Sequence, residues 1–288
     1  MADHSTWALY EDTLGLLPLA WDAGYAVTAY DPGHPQHREV IEANSDADGE
    51  YDTTRHHGAR VVSLDVRLLG DPVDRHQLRT ALAAYCRPDK RPALRWDSPY
   101  LGEVETVGRI TDLSASIPTA MRGLGARITQ RVSTGLLRAT HLEQATIRPG
   151  AGVIQAGRTY DLTYDRVYPS GTVIGAAAIV VGGNAKAKPI IRIYGPITNP
   201  DLTISTGGRW KFTGNGGLAV SAADLIEIDV ENRTVYLNAN PTLTRYNYMD
   251  FSTLSWAPLE PGTQSGSLDG SAVDQNTQAV VEWRDSWL

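Results

Sequence analysis

Residues 59–69, ARVVSLDVRLL, alternate without interruption: Val62, Leu64, Val66 and Leu68 fall on one side, and Ser63, Asp65 and Arg67 on the other. Successive side chains of a strand point to opposite faces, so a period of two predicts a β-strand with one packed face. Its other face meets solvent or a partner. Residues 25–30, 104–111 and 126–133 carry weaker versions of the same pattern.

One helix is signalled, over residues 71–86. Asp71 suits the N-cap, Pro72 the first helical position, and Asp74 the positive end of the helix dipole. Leu78, Ala81, Leu82 and Tyr85 then recur at helical spacing, and Arg87-Pro88 stops the run. A lone helix among strands is expected to cover one end or face of a sheet.

Residues 136–144 read as the passage between two domains, 1–138 and 139–288, and 288 residues give room for two cores. Strands are predicted at 160–164, 172–181, 189–194, 202–205, 225–229, 234–238 and 279–283. Turn signals separate them: Pro169-Ser170-Gly171, Gly182-Gly183-Asn184, Asn199-Pro200-Asp201, Gly214-Asn215-Gly216-Gly217 and Glu231-Asn232. Many short strands at this spacing predict a β-sandwich or jelly roll. Residues 261–278 hold few apolar side chains and read as a loop.

The net charge of -7 argues against sequence-independent binding of nucleic acid, which needs a basic surface. Cys86 is the only cysteine, so no intrachain disulfide forms, which fits assembly in a reducing cytoplasm. No secretory signal is read at the N-terminus, and the longest apolar run, 173–181, is too short to span a bilayer. No membrane partner is therefore expected.

Several segments, in this order, resemble one family. They are YDLTYDRVYP (160–169), PIIRIYGPITNP (189–200), DLIEIDVENRTVYLN (224–238), WAPLEPG (256–262) and WRDSWL (283–288). In the first half, the strand at 58–69, the capped helix and ALRW (93–96) join them. Together they resemble the distal tail proteins of long-tailed, non-contractile phages, in particular minor tail proteins of phages of actinobacteria. The resemblance spans residues 20–288. It departs at 263–278, which is polar and long where the family has a more apolar final strand, so the strand count there stays open.

The resemblance implies a mainly β chain. An N-terminal β-sandwich with one helix would form a homo-hexameric ring, and a C-terminal galectin-like or jelly-roll sandwich would project outward. The ring would join the major tail tube protein to a tail-tip protein or fibres, in the virion tail tip of particles assembled in the host cytoplasm. No cofactor and no catalysis are implied. Ring closure needs two different faces per subunit. The N-terminal domain is expected to supply them, with Arg60, Ser63, Asp65 and Arg67 as candidate interface residues.

Each chemistry-bearing residue also has a blander role. Asp46, Asp48 and Asp52 lie in an acidic, Gly-containing loop of the kind that can ligate a hard cation, but they lack EF-hand spacing and read more simply as a solvated loop tip. His56 and His57 are adjacent and point to opposite faces of an extended chain, though His34 or His37 could join one of them. Cys86 reads as a small buried hydrophobe. Gly214–Gly217 reads as a tight turn, because no helix follows to hold an anion. Asp161 with Asp165, and Glu227 with Asp229, read as solvated sheet-face pairs rather than glycosidase carboxylates. The motifs G-x-S-x-G, H-E-x-x-H and G-x-x-x-x-G-K are absent from the sequence. Seven tryptophans raise a carbohydrate-binding alternative, with Trp210, Tyr246 and Tyr248 as candidate platform residues in the C-terminal half. Core or interface packing is the competing role for each.

Overall fold

The computed structural model describes residues 7–35, 37–38, 41–43, 50–52, 56–116, 125–150 and 177–288. In chain order the first elements are β1 (Trp7–Glu11), β2 (Gly15–Pro18), β3 (Tyr25–Asp31), β4 (His37–Arg38), β5 (Ile41–Ala43), β6 (Glu50–Asp52), β7 (His56–His57), β8 (Arg60–Leu68), α1 (Pro72–Tyr85), β9 (Ala93–Ser98), β10 (Gly102–Val107), β11 (Arg109–Ser116), β12 (Gly125–Val132) and β13 (Leu137–Ala139). There follow β14 (Glu143–Ile147), β15 (Ala177–Val181), β16 (Ile190–Tyr194), β17 (Ile197–Ile204), β18 (Arg209–Lys211), β19 (Ala219–Val220), β20 (Leu225–Asp229), β21 (Thr234–Leu237), β22 (Gly262–Ser271), β23 (Gln278–Trp283) and β24 (Ser286–Trp287). The chain divides into two compact units, Met1–His141 with Ser286–Leu288, and Leu142–Asp285.

Each unit is a β-sandwich. In the first, a six-stranded sheet (β2-β1-β9-β10-β13-β24) faces a four-stranded sheet (β11-β12-β8-β3). The strand with the clearest alternation, β8, lies inside the smaller sheet, antiparallel to both β12 and β3. Val62, Leu64, Val66 and Leu68 are each 1% exposed and meet Leu9, Leu94, Trp96 and Val104 of the larger sheet. Burying side chains of this size contributes about 1.5–3 kcal/mol each.

Helix α1 begins as the sequence predicts. Asp71 accepts hydrogen bonds from the amides of Val73 (2.8 Å) and Asp74 (2.9 Å), and Asp74 accepts one from the Asp71 amide (3.4 Å). This reciprocal capping box satisfies amides that the first turn cannot. The helix contacts both β3 and the β1–β2 turn. Tyr25 Oη donates to the Leu78 carbonyl (2.9 Å), and Tyr85 Oη approaches the carbonyls of Leu14 and Gly15 (3.4 and 3.3 Å).

Residues 104–111 are two strands rather than one. The chain leaves the larger sheet at Val107 and enters the smaller at Arg109, with Gly108 between. A Cβ at Gly108 would lie 2.4 Å from the Arg131 carbonyl oxygen, so the crossing needs a glycine. The predicted break at 138 also moves. Leu137–Ala139 pairs with β10 inside the first unit, and the chain terminus returns as β24 to pair with it.

In the second unit, the sheet β14-β23-β16-β20-β21 faces β15-β22-β17-β18, with β19 added to β17. Ile191, Ile193, Ile226, Ile228 and Val281 of the first sheet meet Ile179, Leu202 and Ile204 of the second. The Asn199-Pro200 turn signal proves to be a bulge within β17. Asn199 has φ 55° there, and its Oδ1 accepts the Leu218 amide (3.0 Å). Proline, which has no N–H, is tolerated at such an irregularity. The predicted strand at 160–164 lies outside the described residues, as do 169–171.

Within residues 261–278, the first part is a strand rather than a loop. Gly262–Ser271 is a ten-residue strand between β15 and β17. Its inward positions are Gln264, Gly266, Leu268 and Gly270, so the apolar signal is missing because glycine occupies two of them. A Cβ at Gly266 would lie 2.4 Å from Ile147 Cδ1, and one at Gly270 2.6 Å from Ile197 Cγ1. The opposing isoleucines fill the space. Buried Gln264 is satisfied by Thr206 Oγ1 (2.9 Å) and by the Glu260 carbonyl.

Gly266→Val should therefore overpack this core and destabilise the chain by about 1–3 kcal/mol. Ser265→Val, on the exposed side of the same strand, should leave the urea midpoint near wild type. Equal midpoints for both would contradict the packing described.

Candidate assembly and ligand surfaces

The four residues nominated for an interface separate by parity. Ser63, Asp65 and Arg67 lie on the outer face of β8, half-exposed. Arg60 shares parity with Val62, so it points inward and is 1% exposed. The exposed residue at this end is Val61, at 45%. Arg60 is thus corrected from a surface residue to a buried one. Among the described residues its Nε has no hydrogen-bond partner, and neither does the buried Tyr30 Oη nearby. Burial pushes the Arg60 guanidinium below its ordinary pKa, against the opposing influence of Tyr30, and pushes the Tyr30 phenol up. Tyr30 also packs against Trp7 and Trp96, ring centroids 4.6 and 5.1 Å away, and the two tryptophans stack at 5.3 Å.

On the outer face, Asp65 and Arg127 are directly opposed and form a two-pronged ion pair, 2.7 Å at each prong. Hydrogen bonding from Arg127 holds the Asp65 carboxyl below its usual range. The pair is solvated, so its contribution to stability is small.

The nominated platform residues also separate. Trp210 is 0% exposed and has no face to offer a sugar. Its parity on β18 turns it inward, Gly208 lies against its ring, and Trp256 meets it edge-on at 6.4 Å. Its buried indole N–H has no partner among the described residues. Tyr246 and Tyr248 are half-buried in a 3-10 turn, Tyr246–Tyr248. The sequence reading missed two neighbours. Trp256 stacks on Tyr246 with centroids 6.3 Å apart and planes within 8°, and Phe251, 59% exposed, lies 5.3 Å from Tyr246. A spacing of five residues matches no regular element, so no periodicity marks this group.

Asp250 shapes the loop that carries Phe251. It accepts from the Ser252 hydroxyl (2.6 Å) and amide (3.1 Å), and these bonds hold its carboxyl below the usual range.

Among the described residues the remaining candidates are not brought together into a site. Asp46 and Asp48 lie outside the described residues, and Asp52 ends β6, paired with Ile41. Asp161 and Asp165 are likewise outside. The ladder sets His37 opposite His57. Among the described residues, no group of three or more His, Cys, Asp or Glu is arranged to hold a metal. Burial pushes the Cys86 thiol up to about 11, away from nucleophilic character. Gly214–Gly216 is a 3-10 turn with β19 after it. Glu227 pairs with Arg192 (2.9 Å), which also holds Glu282 (2.6 Å), while Asp229 accepts from the Asn232 amide (2.9 Å) and caps the β20–β21 turn.

No protein-family model and no curated protein matches the sequence. The fold, in contrast, matches solved structures. The Dit protein (gp 19.1) of SPP1, described as a paradigm of the hub adsorption apparatus in phages infecting Gram-positive bacteria, superposes with a TM-score of 0.65. The match covers 98% of this chain and 99% of that one at 11% identity. The chain shares that fold. A chain of the phage P2 baseplate in its activated conformation with calcium gives 0.56 at 11% identity, covering 98% of each chain. The strontium form of that baseplate gives 0.54 at 12% identity, covering 97% of this chain and 98% of that one.

Arg60→Met replaces a buried cation, without a carboxylate partner among the described residues, with an apolar side chain of similar length. Chemical unfolding should show stability unchanged or raised. A loss of about 3 kcal/mol or more would reveal a carboxylate partner for Arg60.

Proposed function

We propose that this chain is a structural, non-catalytic subunit at the distal end of the tail of a long-tailed, non-contractile phage of an actinobacterium. Six copies form a ring through the first unit. The ring joins the tail tube protein to the tail-tip protein or fibres, and the second unit, a galectin-like sandwich, faces outward. The observation that carries this reading is the agreement of fold with the SPP1 Dit protein over 98% of this chain, both units included. The order of strand and turn segments in the sequence supports the same reading independently. Negative-stain images of the purified chain should show six-fold rings. Monomers at every concentration would refute ring formation by the chain alone.

A second reading is favoured by the Tyr246–Phe251–Trp256 group. The second unit would bind host cell-wall carbohydrate, with Phe251 as the exposed ring against which a sugar packs. Residues 142–285 should then bind purified cell wall, and Phe251→Ala should weaken binding about 10-fold, the loss of one aromatic contact. Equal retention of both forms would dismiss Phe251 as a platform.

A further inference from the structure

The first unit contains two directly opposed like-charge pairs, one of each sign. On the outer face of the smaller sheet, Arg109 of β11 lies opposite Arg131 of β12, and Arg131 lies opposite the exposed Val61 of β8. On the outer face of the larger sheet, Asp97 of β9 lies opposite Glu103 of β10. All four charged residues are exposed. The turn between β9 and β10 carries Tyr100, 92% exposed.

Like charges directly opposed on a sheet repel and destabilise it. Arg109 and Arg131 meet no carboxylate among the described residues, and Asp97 meets no cation. Among the described residues Glu103 is bound only by a neutral group, the Thr140 hydroxyl (3.0 Å). The two pairs cannot relieve one another within a chain. They lie on the outer faces of different sheets, with the packed core of the sandwich between them.

They match across copies. Opposed residues on neighbouring strands stand about 5 Å apart in both sheets, so two carboxylates and two guanidinium groups present the same spacing. Each pair has an exposed apolar neighbour, Tyr100 on the acidic side and Val61 on the basic side.

We infer that the Asp97–Glu103–Tyr100 surface of one copy docks on the Arg109–Arg131–Val61 surface of the next. This contact is heterologous, since each copy offers one face of each kind, and repetition with a fixed rotation closes a ring. The inference rests on the ring proposed above and names the surfaces that make it. Tyr100 supplies buried apolar area at the centre of the contact, and the four charges fix its register and exclude the reversed pairing.

Charge reversal tests this with the full chain. Sedimentation at low salt is measured for wild type, for Arg109→Glu with Arg131→Glu, for Asp97→Lys with Glu103→Lys, and for all four changes together. Each two-residue reversal should raise the apparent dissociation constant roughly 100-fold. The four-residue swap should restore association, and so should mixing the two reversed proteins, each silent alone. Thermal midpoints serve as the folding control and should stay near wild type, because each reversal replaces one like-charge pair with another.

Rings that persist in both reversed proteins would overturn this interface and leave the ring reading standing. A wild-type chain that remains monomeric throughout would overturn both this interface and ring formation by the chain alone. If the Arg109/Arg131 reversal abolished retention of a labelled oligonucleotide while leaving self-association intact, the basic pair would be a phosphate site and the inference would be wrong.

Discussion

The structure depends on the requirement that each strand of a two-sheet body has one side to bury and one to expose. In the first unit β8 sets this for its whole sheet. Its row of Val62, Leu64, Val66 and Leu68 must face the larger sheet, and a slip of one residue would place all four in water. That row fixes the register of β12, and β12 fixes β11. The outer face is therefore determined from the inside. Arg131 stands between Val61 and Arg109 because Val62 and Gln130 are buried beneath them. Gln130 makes that depth tolerable: its amide donates to the Pro92 carbonyl (2.7 Å) and its oxygen accepts the Thr106 hydroxyl (2.7 Å).

The second unit meets the same requirement with a different distribution of volume. Its middle strand β22 contributes only Leu268 as a large inward apolar side chain, and Gly266 and Gly270 admit Ile147 and Ile197 from facing or neighbouring strands. Packing density is conserved across the layer, not within each strand. The bulk that β22 lacks comes from Ile147 of the facing sheet and Ile197 of the neighbouring strand.

What was legible in the sequence was local. The capped start of α1, the β8 alternation and the turn after Asp229 each involve residues within a few positions of one another, so spacing alone reveals them. The charge of Arg60 suggests the surface, although its parity with Val62 places it inside. Trp210 was misassigned because a tryptophan near turn signals looks exposed, and only the pairing of β18 with β17 turns it inward. Residues 262–271 resemble a loop in sequence because apolar alternation is the usual mark of a strand and glycine erases it. Cross-strand partners were the least legible feature. Nothing in the sequence announces that Arg109 opposes Arg131, since their alignment is a product of the whole sheet.

Sequence comparison finds no relative, while the fold matches the SPP1 Dit protein along nearly the entire chain at 11% identity. The two facts are compatible. Alternation, caps and turns constrain residue class far more than identity, and many sequences meet the same pattern. A shared architecture at this identity leaves the outer faces free to differ, and there the chain carries features that its own stability does not favour. Asp97 opposite Glu103 and Arg109 opposite Arg131 each weaken the sheet that carries them. A single substitution would remove either repulsion. The simplest physical reason to carry both signs at matched spacing is that the opposing charges arrive on another molecule of the same chain.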